Sequence, residues 1–311
     1  MKEILFILGM PRSGTTLMQR ILSNSPDVET VPEPWLLLPF LSFRERCHQK
    51  SIYGSRPALT ALNEFLGDDT RLEESLADCL RKYVGSRYPE CRYFCEKTPR
   101  NLLYANKLRK WFPGERYIII NRNPLNVAAS IFKTFENGVL NPYKFRVDLE
   151  LGLQQLIALN STPDGALIVR YEDLTENPKE SLARCSEFLE LNPPLDPDQP
   201  PPRLVGQMGD PTGQFQMTEI TSRPKLDYLK FINSKYRKRW FLKFLENIGP
   251  RDFQHLGYSY EKHHKALVRH PVVKPIGIRD FGFLIARKLL ENLTFRVLPR
   301  RPEEVPEYIL Y

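Results

Sequence analysis

No stretch of this chain contains the roughly 18 consecutive apolar residues that a membrane-spanning helix requires. The first residues also lack the charged, apolar and cleavage regions of a secretory signal, because an apolar run typical of a β-strand already begins at Ile4. The sequence therefore predicts neither a membrane span nor a signal peptide. We expect a cytoplasmic protein.

Cysteine and histidine are scarce, with five of each in 311 residues. Cys91 and Cys95 form a Cys-x3-Cys spacing, but no second pair accompanies them, so the pattern does not predict a metal or redox site. The histidines, including the adjacent His263 and His264, show no metal-ligand spacing. We expect reduced, structural thiols and no bound metal.

Basic residues are in moderate excess, with 45 Lys and Arg against 37 Asp and Glu and a formal net charge of +8. They are not interleaved with aromatic residues, and the sequence contains no recognisable DNA- or RNA-binding motif. Nucleic acid is therefore not the expected partner. An anionic cofactor, together with an anionic acceptor, would account for the excess of positive charge.

A glycine-containing turn follows the first apolar run. Residues 4–8 predict a strand, and Gly9 and Gly14 then frame a loop before a helical pattern begins. Backbone N–H groups of such a loop, with the start of the helix, form a site for an oxyanion. The spacing is that of a nucleotide P-loop, but Thr15 replaces the expected Lys and the cation is Arg12. The candidate phosphate ligands are Arg12, Ser13, Gly14, Thr15 and Thr16.

A second strand-to-helix junction lies downstream. Residues 117–120 predict a strand, Asn123 is a favoured N-cap and Pro124 suits the first helical position. Arg122 ends the strand, and Ser130 lies eight residues later, about two turns into the helix. This junction, like the first, lies at the predicted carboxyl end of a strand.

Together these two motifs are similar to those of sulfotransferases that use 3′-phosphoadenosine 5′-phosphosulfate (PAPS). The sequence of residues 11–17 resembles the family's 5′-phosphosulfate loop, and Arg122 with Ser130 matches its 3′-phosphate signature. The resemblance extends from residue 4 to about residue 258, and it is closest to the tyrosylprotein-type and bacterial enzymes. It implies a P-loop-related fold and PAPS as cofactor, with 3′-phosphoadenosine 5′-phosphate (PAP) as product.

The resemblance also implies roles for individual residues. Glu33, between two prolines and 21 residues after Arg12, resembles the general base of the tyrosylprotein enzymes. Lys97 resembles the cation that neutralises the leaving phosphate, with Arg12 assisting it. Tyr171 matches a cofactor-contacting tyrosine. A solvated loop Glu and an exposed Lys are the alternatives for the first two. The candidates for a late loop over the cofactor are Ser222, Arg223 and Lys225.

Strand and helix patterns alternate along the chain, which predicts an α/β fold with a mostly parallel sheet flanked by helices in three layers. We expect one catalytic domain over residues 1–260, with a helical cap at 35–95 that contacts the acceptor, and a basic extension at 261–311. The predicted strands are residues 4–8, 27–31, 117–120 and 166–169, and the later predicted helices are residues 57–66, 71–84, 100–112, 177–191 and 224–247.

Residues 262–301 contain ten Lys and Arg against two Asp and Glu in an amphipathic pattern. This pattern is typical of a surface helix docked on the domain or of a peripheral contact with an anionic membrane. Both interpretations stay open at this point.

We therefore expect an enzyme that moves a sulfuryl group from PAPS to a hydroxyl of a saccharide or a tyrosine. One alternative is a P-loop nucleotide kinase, which the missing Lys disfavours. Another is a non-catalytic nucleotide-binding protein, which would be favoured if Glu33 and Lys97 point away from the loop.

Overall fold

The computed structural model describes residues 3–41, 55–67, 71–204 and 227–294. The late-loop candidates Ser222, Arg223 and Lys225 lie outside these ranges. So does the end of the predicted basic extension beyond residue 294.

A five-stranded sheet, in the order β2-β3-β1-β4-β5, forms the centre of the molecule, and every pair of neighbouring strands is parallel. All four predicted strands are confirmed, with β1 in the middle of the sheet. The strands are β1 (Glu3–Gly9), β2 (Val28–Thr30), β3 (Tyr93–Glu96), β4 (Arg116–Asn121) and β5 (Leu167–Arg170).

The strand β3 was not predicted, because the sequence analysis assigned residues up to 95 to the cap. Its four residues are too short a run to show a periodicity. They are stabilised as a strand by pairing on both sides, since Tyr93 is in register with Glu3 of β1 and with Val28 of β2. The end of the expected cap is therefore part of the central sheet.

Helices cover both faces of the sheet. Those of the described ranges are α1 (Thr15–Leu22), α2 (Leu38–Leu41), α3 (Ser55–Leu66), α4 (Arg71–Arg87), α5 (Ala105–Trp111), α6 (Pro124–Phe135), α7 (Leu153–Ser161), α8 (Tyr171–Glu176), α9 (Pro178–Leu189), α10 (Lys235–His255), α11 (Tyr260–Arg269) and α12 (Ile278–Thr294).

The side chains of β1 alternate between two hydrophobic clusters, one on each face of the sheet. Phe6 and Leu8 join a cluster that includes residues of α5, α6, α10 and α11, whereas Leu5 and Ile7 join one that includes residues of α1 and α9. A strand buried on both faces is typical of a parallel sheet covered by helices. The three-layer α/β fold is confirmed.

Two predicted helices differ in detail from the structure. The predicted 100–112 helix begins as a 3₁₀ segment, Pro99–Tyr104, before α5. The predicted 224–247 helix is wrong at its start, because a 3₁₀ segment, Asp227–Phe231, precedes α10. Ser234 sets the new start, since its side chain accepts a hydrogen bond from the Arg237 N–H as an N-cap.

The first part of the predicted extension packs on the domain. Arg237 of α10 forms a two-point ion pair with Asp280 of α12, at 2.7 Å from Nε to Oδ2 and 2.9 Å from Nη2 to Oδ1. The Asp280 side chain is fully buried and its Oδ1 also accepts the Leu140 N–H. The Arg237 guanidinium donates to two backbone carbonyls as well, those of Phe231 and Gly138.

We expect Asp280→Ala to destabilise the protein by about 3–5 kcal/mol, because it leaves a buried guanidinium without its carboxylate. Asp280→Asn should cost less, since the amide still accepts a hydrogen bond. The measurement is urea unfolding followed by circular dichroism. Asp78→Ala is the control, because Asp78 pairs with Arg81 at the surface. Equal unfolding midpoints for Asp280→Ala and Asp78→Ala would contradict the prediction.

Candidate active site

The carboxyl ends of the five parallel strands meet at one edge of the sheet, and a predicted site residue follows each of them. Arg12 comes after β1, Glu33 after β2, Lys97 after β3, Arg122 after β4 and Tyr171 after β5. Ligands in open α/β sheets bind at this edge. The topology therefore brings together side chains that are far apart in the sequence.

The phosphate loop between β1 and α1 has an unusual backbone. Arg12 and Gly14 adopt positive φ angles of 68° and 102°. Gly14 is also restricted by its surroundings, because a Cβ atom built there would lie 2.3 Å from Cδ2 of the Tyr171 ring. Only glycine meets both conditions, so the loop and the start of α8 are packed against each other.

Ser13 supplies a buried hydroxyl at the centre of this loop. Its side chain is fully buried, and its Oγ has no hydrogen-bond partner within the described part of the chain. A buried polar group without a partner costs free energy unless a bound group satisfies it. The phosphate loop therefore fits an anionic ligand that accepts a hydrogen bond from Ser13.

The second junction contacts the first directly. Arg122 donates from Nη1 to the backbone oxygen of Arg12 at 2.7 Å, and its guanidinium lies 4.4 Å from the centre of the Tyr171 ring. Arg12 reaches across the site, with its Nε 3.4 Å from Ser130 Oγ. The two predicted phosphate motifs thus form one continuous site.

The position of Arg12 adds to what the sequence indicated. From the sequence alone, Arg12 is predicted to act on the 5′ side, next to Lys97. In the structure its side chain contacts Ser130, the residue expected at the 3′-phosphate. One guanidinium therefore lies between the two predicted phosphate positions.

Glu33 and Lys97 form a close ion pair. The Lys97 Nζ lies 2.7 Å from Glu33 Oε1 and 3.2 Å from Thr16 Oγ1 of the phosphate loop. The Lys97 side chain is almost fully buried and Glu33 is 14 % exposed. An exposed Lys and a solvated loop Glu do not describe these two residues. A candidate base and a candidate cation are therefore adjacent at the loop.

Gln19 of α1 holds the segment that carries Glu33, a contact that the sequence analysis missed. Its Nε2 donates to Thr30 Oγ1 at 2.7 Å and to the Val31 carbonyl at 2.9 Å. Thr30 in turn donates to the Cys95 carbonyl of β3. Glu33 itself has a φ of 30°. These bonds fix the end of β2 against both α1 and β3.

Glu96 is a buried carboxyl next to Lys97. Its hydrogen-bond donors are the Thr98 hydroxyl at 2.9 Å and the Asn101 amide at 2.6 Å. Burial raises its pKa to about 7. Thr98 and Asn101 lie at the start of the 3₁₀ segment, so Glu96 braces the backbone that presents Lys97.

The C-terminal segment completes the second junction. Asn123 caps α6 by accepting from the Leu125 N–H, and its Nδ2 lies 3.0 Å from Nε2 of His263 in α11. Tyr228 Oη lies 3.0 Å from the other ring nitrogen of His263. Burial lowers the pKa of His263 to about 4, so its ring is neutral at pH 7. The only sequence signal for this contact is a histidine on an amphipathic helix.

Glu172 connects the same junction to Tyr258, which follows α10. Its Oε1 accepts from the Asn123 backbone N–H, and its Oε2 accepts from Tyr258 Oη at 2.6 Å. The neighbouring Asp173 is half exposed and lies 3.6 Å from Arg170. Glu172, and not the half-exposed Asp173, therefore holds this segment in place.

Neither a metal centre nor a membrane span is visible in the described residues. Among them, no group of three or more His, Cys, Asp or Glu side chains is arranged to hold a metal ion. None of their helices is both long enough and apolar enough to cross a bilayer.

Comparisons with known proteins agree with the motifs. A model described as "Sulfotransferase family" matches residues 5–196. The chain is 31% identical over 218 residues to "Nodulation protein NoeE" of Sinorhizobium fredii, covering 61% of this chain and 50% of that protein. It is 25% identical over 197 residues to "Protein-tyrosine sulfotransferase 2" of Gallus gallus, covering 61% of this chain and 51% of that protein. The chain spans about half the length of these curated relatives.

Among solved structures, the "Sulfotransferase Domain from the Curacin Biosynthetic Pathway" aligns with a TM-score of 0.46 at 19% identity. The alignment covers 96% of this chain and 99% of that domain.

We expect His263→Gln to reduce the loss of stability on acidification. The pKa of His263 is about 6.5 in the unfolded chain and about 4 in the folded protein. Between these pH values the unfolded chain binds more protons, so the free energy of unfolding falls as the pH falls. Within this window, His263 lowers the free energy of unfolding by up to about 1.4 kcal/mol for each pH unit of acidification. The raised pKa of Glu96 has the opposite effect, because it increases the free energy of unfolding as the pH falls from about 7 toward the ordinary pKa of Glu. This effect is present in both wild type and His263→Gln.

The difference in urea stability between His263→Gln and wild type, measured from pH 7 to pH 4.5, therefore isolates the histidine. His264→Gln is the control, because the His264 ring stacks on Tyr260 and reaches solvent. Parallel curves for His263→Gln and wild type would contradict the buried neutral imidazole.

Proposed function

Since this chain belongs to the sulfotransferase family, we propose that it transfers a sulfuryl group from PAPS to a hydroxyl acceptor. One observation carries the proposal. The phosphate-loop residue Thr16, the buried cation Lys97 and the carboxylate of Glu33 lie in one hydrogen-bonded row. Phosphate ligands, a cation and a base are the groups that sulfuryl transfer requires in contact.

The residues present fit a nucleotide with two phosphate positions. Loop N–H groups and the buried Ser13 hydroxyl are proposed to hold the 5′-phosphosulfate. Arg122 and Ser130 are proposed to hold the 3′-phosphate. The contact of Arg12 with Ser130 supports a shared role at both positions. The remaining proposed cofactor ligands are Gly14, Thr15, Thr16 and Tyr171, with Ser222, Arg223 and Lys225 in the late loop.

The ion pair suggests how the chain's own groups would act. The Lys97 ammonium holds the Glu33 carboxylate in place at 2.7 Å, and a carboxylate in this position can accept a proton from the acceptor hydroxyl. When bound, PAPS would supply the sulfuryl group: the acceptor oxygen would form a bond to sulfur, and the 5′-phosphate oxygen would leave. Once Glu33 is protonated, it no longer holds the Lys97 ammonium, which can then donate to the oxygen on which charge develops.

The relatives also suggest a class of acceptor. The relatives include a protein-tyrosine sulfotransferase and a nodulation protein. A hydroxyl on a tyrosyl peptide or on a saccharide is accordingly proposed, with the residues between β2 and β3 as the acceptor-contacting cap. The absence of a Lys after Gly14 continues to disfavour a nucleotide kinase.

We expect the protein to bind PAP more tightly than ADP, because ADP lacks the 3′-phosphate. The loss of charge-assisted contacts should cost roughly 1.5–3 kcal/mol, or about 10- to 150-fold in Kd. Ser130→Ala and Arg122→Ala should both reduce this preference, and isothermal titration calorimetry measures it. Lys133→Ala is the control on the same helix, because the Lys133 side chain is 41% exposed and pairs with Asp227.

Arg122→Ala also removes the bond to the Arg12 carbonyl, so Ser130→Ala is the cleaner variant. Equal affinity of the wild-type protein for PAP and ADP would overturn the cofactor assignment.

We expect Glu33→Gln to leave PAP affinity nearly intact and to lower turnover by about 10²–10⁴. Lys97→Met should lower turnover by about 10²–10³ with little change in PAP affinity, if Lys97 acts mainly on developing charge. Single-turnover transfer from radiolabelled PAPS, to whichever tyrosyl peptide or oligosaccharide the wild type modifies, measures the rates.

Glu29→Gln is the matched control, because Glu29 is exposed on β2, the strand that precedes Glu33. Turnover of Glu33→Gln within a few-fold of wild type would exclude Glu33 as the base. A Lys97→Met variant that loses PAP binding and rate equally would make Lys97 a ground-state phosphate ligand.

A further inference from the structure

Exposed apolar side chains are concentrated near the C-terminal end of the described chain. Within the described ranges, eight large hydrophobic residues are exposed, and five of them lie between residues 268 and 285. Single exposed hydrophobics are ordinary, but several close together along the chain are typical of an interaction surface. We call this set the C-terminal patch. Its members are Val268, Val273, Ile278, Phe281 and Ile285, which are 46–88% exposed.

The helix α12 presents its apolar side to solvent and its acidic residue to the core. Ile278, Phe281 and Ile285 have the i, i+3, i+7 spacing of one helix face. Asp280 lies on the opposite face, where it is fully buried against Arg237. The ion pair fixes the rotation of the helix at this point. The outward direction of the apolar face is therefore built into the fold.

The charges around the C-terminal patch have one sign. Every Lys and Arg between residues 262 and 286 is exposed, while Asp280, the one acidic residue in that range, is buried and already paired. Arg287 and Lys288 continue the same sequence. The exposed basic residues are Lys262, Lys265, Arg269, Lys274 and Arg279.

Exposed apolar residues surrounded by positive charge favour one kind of binding partner for the C-terminal patch over the others. A two-fold dimer through the patch would place the same surface against itself, and its lysines and arginines would repel each other. Nucleic acid would use the charge but not the aliphatic residues. A helix with an apolar face and basic flanks fits the interface of an anionic membrane, where the apolar residues enter the headgroup boundary and the cations contact anionic lipids.

We propose that α12 and the residues just before it bind the surface of an anionic membrane, with Phe281 and Ile285 in the interfacial layer. The binding is peripheral and goes beyond the proposed transfer reaction. It would hold the domain beside membrane-associated acceptors.

The test is flotation of the full chain with vesicles of phosphatidylcholine alone and with vesicles in which roughly a third of the lipid is phosphatidylglycerol. We expect binding to the anionic vesicles and a loss of about tenfold or more for Phe281→Ser combined with Ile285→Ser. A charge variant, Lys265→Glu with Lys274→Glu, should lose binding to a similar extent. Phe65→Ser is the matched control, because Phe65 is 86% exposed outside the patch.

Urea midpoints of all variants establish that they are folded. Three results would overturn the proposal. One is no binding of wild type to anionic vesicles, and another is equal binding to both kinds of vesicle. The third is self-association without lipid that the Phe281 and Ile285 substitutions abolish, which would assign the patch to a second copy of the chain.

Discussion

The parallel direction of all five strands is the constraint on which the rest of the molecule depends. It places the carboxyl end of every strand at one edge of the sheet, so that residues more than 80 positions apart become neighbours. Lys97 is buried there, and a buried ammonium is stable only with a carboxylate and further hydrogen bonds around it. Glu33 supplies the carboxylate from the end of the neighbouring strand β2, and Thr16 supplies the hydroxyl.

A second consequence is that the residues proposed to contact the nucleotide and the residues that hold them in place come from different parts of the chain. Apart from the late-loop candidates Ser222, Arg223 and Lys225, the groups proposed to contact the nucleotide lie within the matched residues 5–196. The groups that hold them include Tyr228, Tyr258 and His263, which follow that range. Asn123 and Glu172 connect the two sets of residues through side-chain hydrogen bonds. The geometry of the proposed 3′-phosphate site therefore depends on helices that carry no recognisable motif.

Much of this arrangement could be predicted, and the failures have physical reasons. Short runs rich in apolar and β-branched residues identified four strands, and turn and capping residues such as Asn123 located the phosphate motifs. The strand β3 was missed because four residues show no period, and its pairing is decided by neighbours far away in the sequence. The contact of Arg12 with Ser130 could not be predicted either, since it depends on a positive φ at Arg12. His263 carries no local signal, because its role is defined by burial against Asn123.

The buried pair of Arg237 and Asp280 also bears on where this protein can be divided. A fragment that ends near residue 258, where sequence resemblance fades, would lack both His263 and Asp280. It would retain Asn123 without the His263 ring and Arg237 without its carboxylate. We therefore expect such a fragment to be less stable than the longer chain, because each lost partner leaves a buried polar group uncompensated. A truncation near residue 258 would remove side chains that hold the core together, and not only a surface tail.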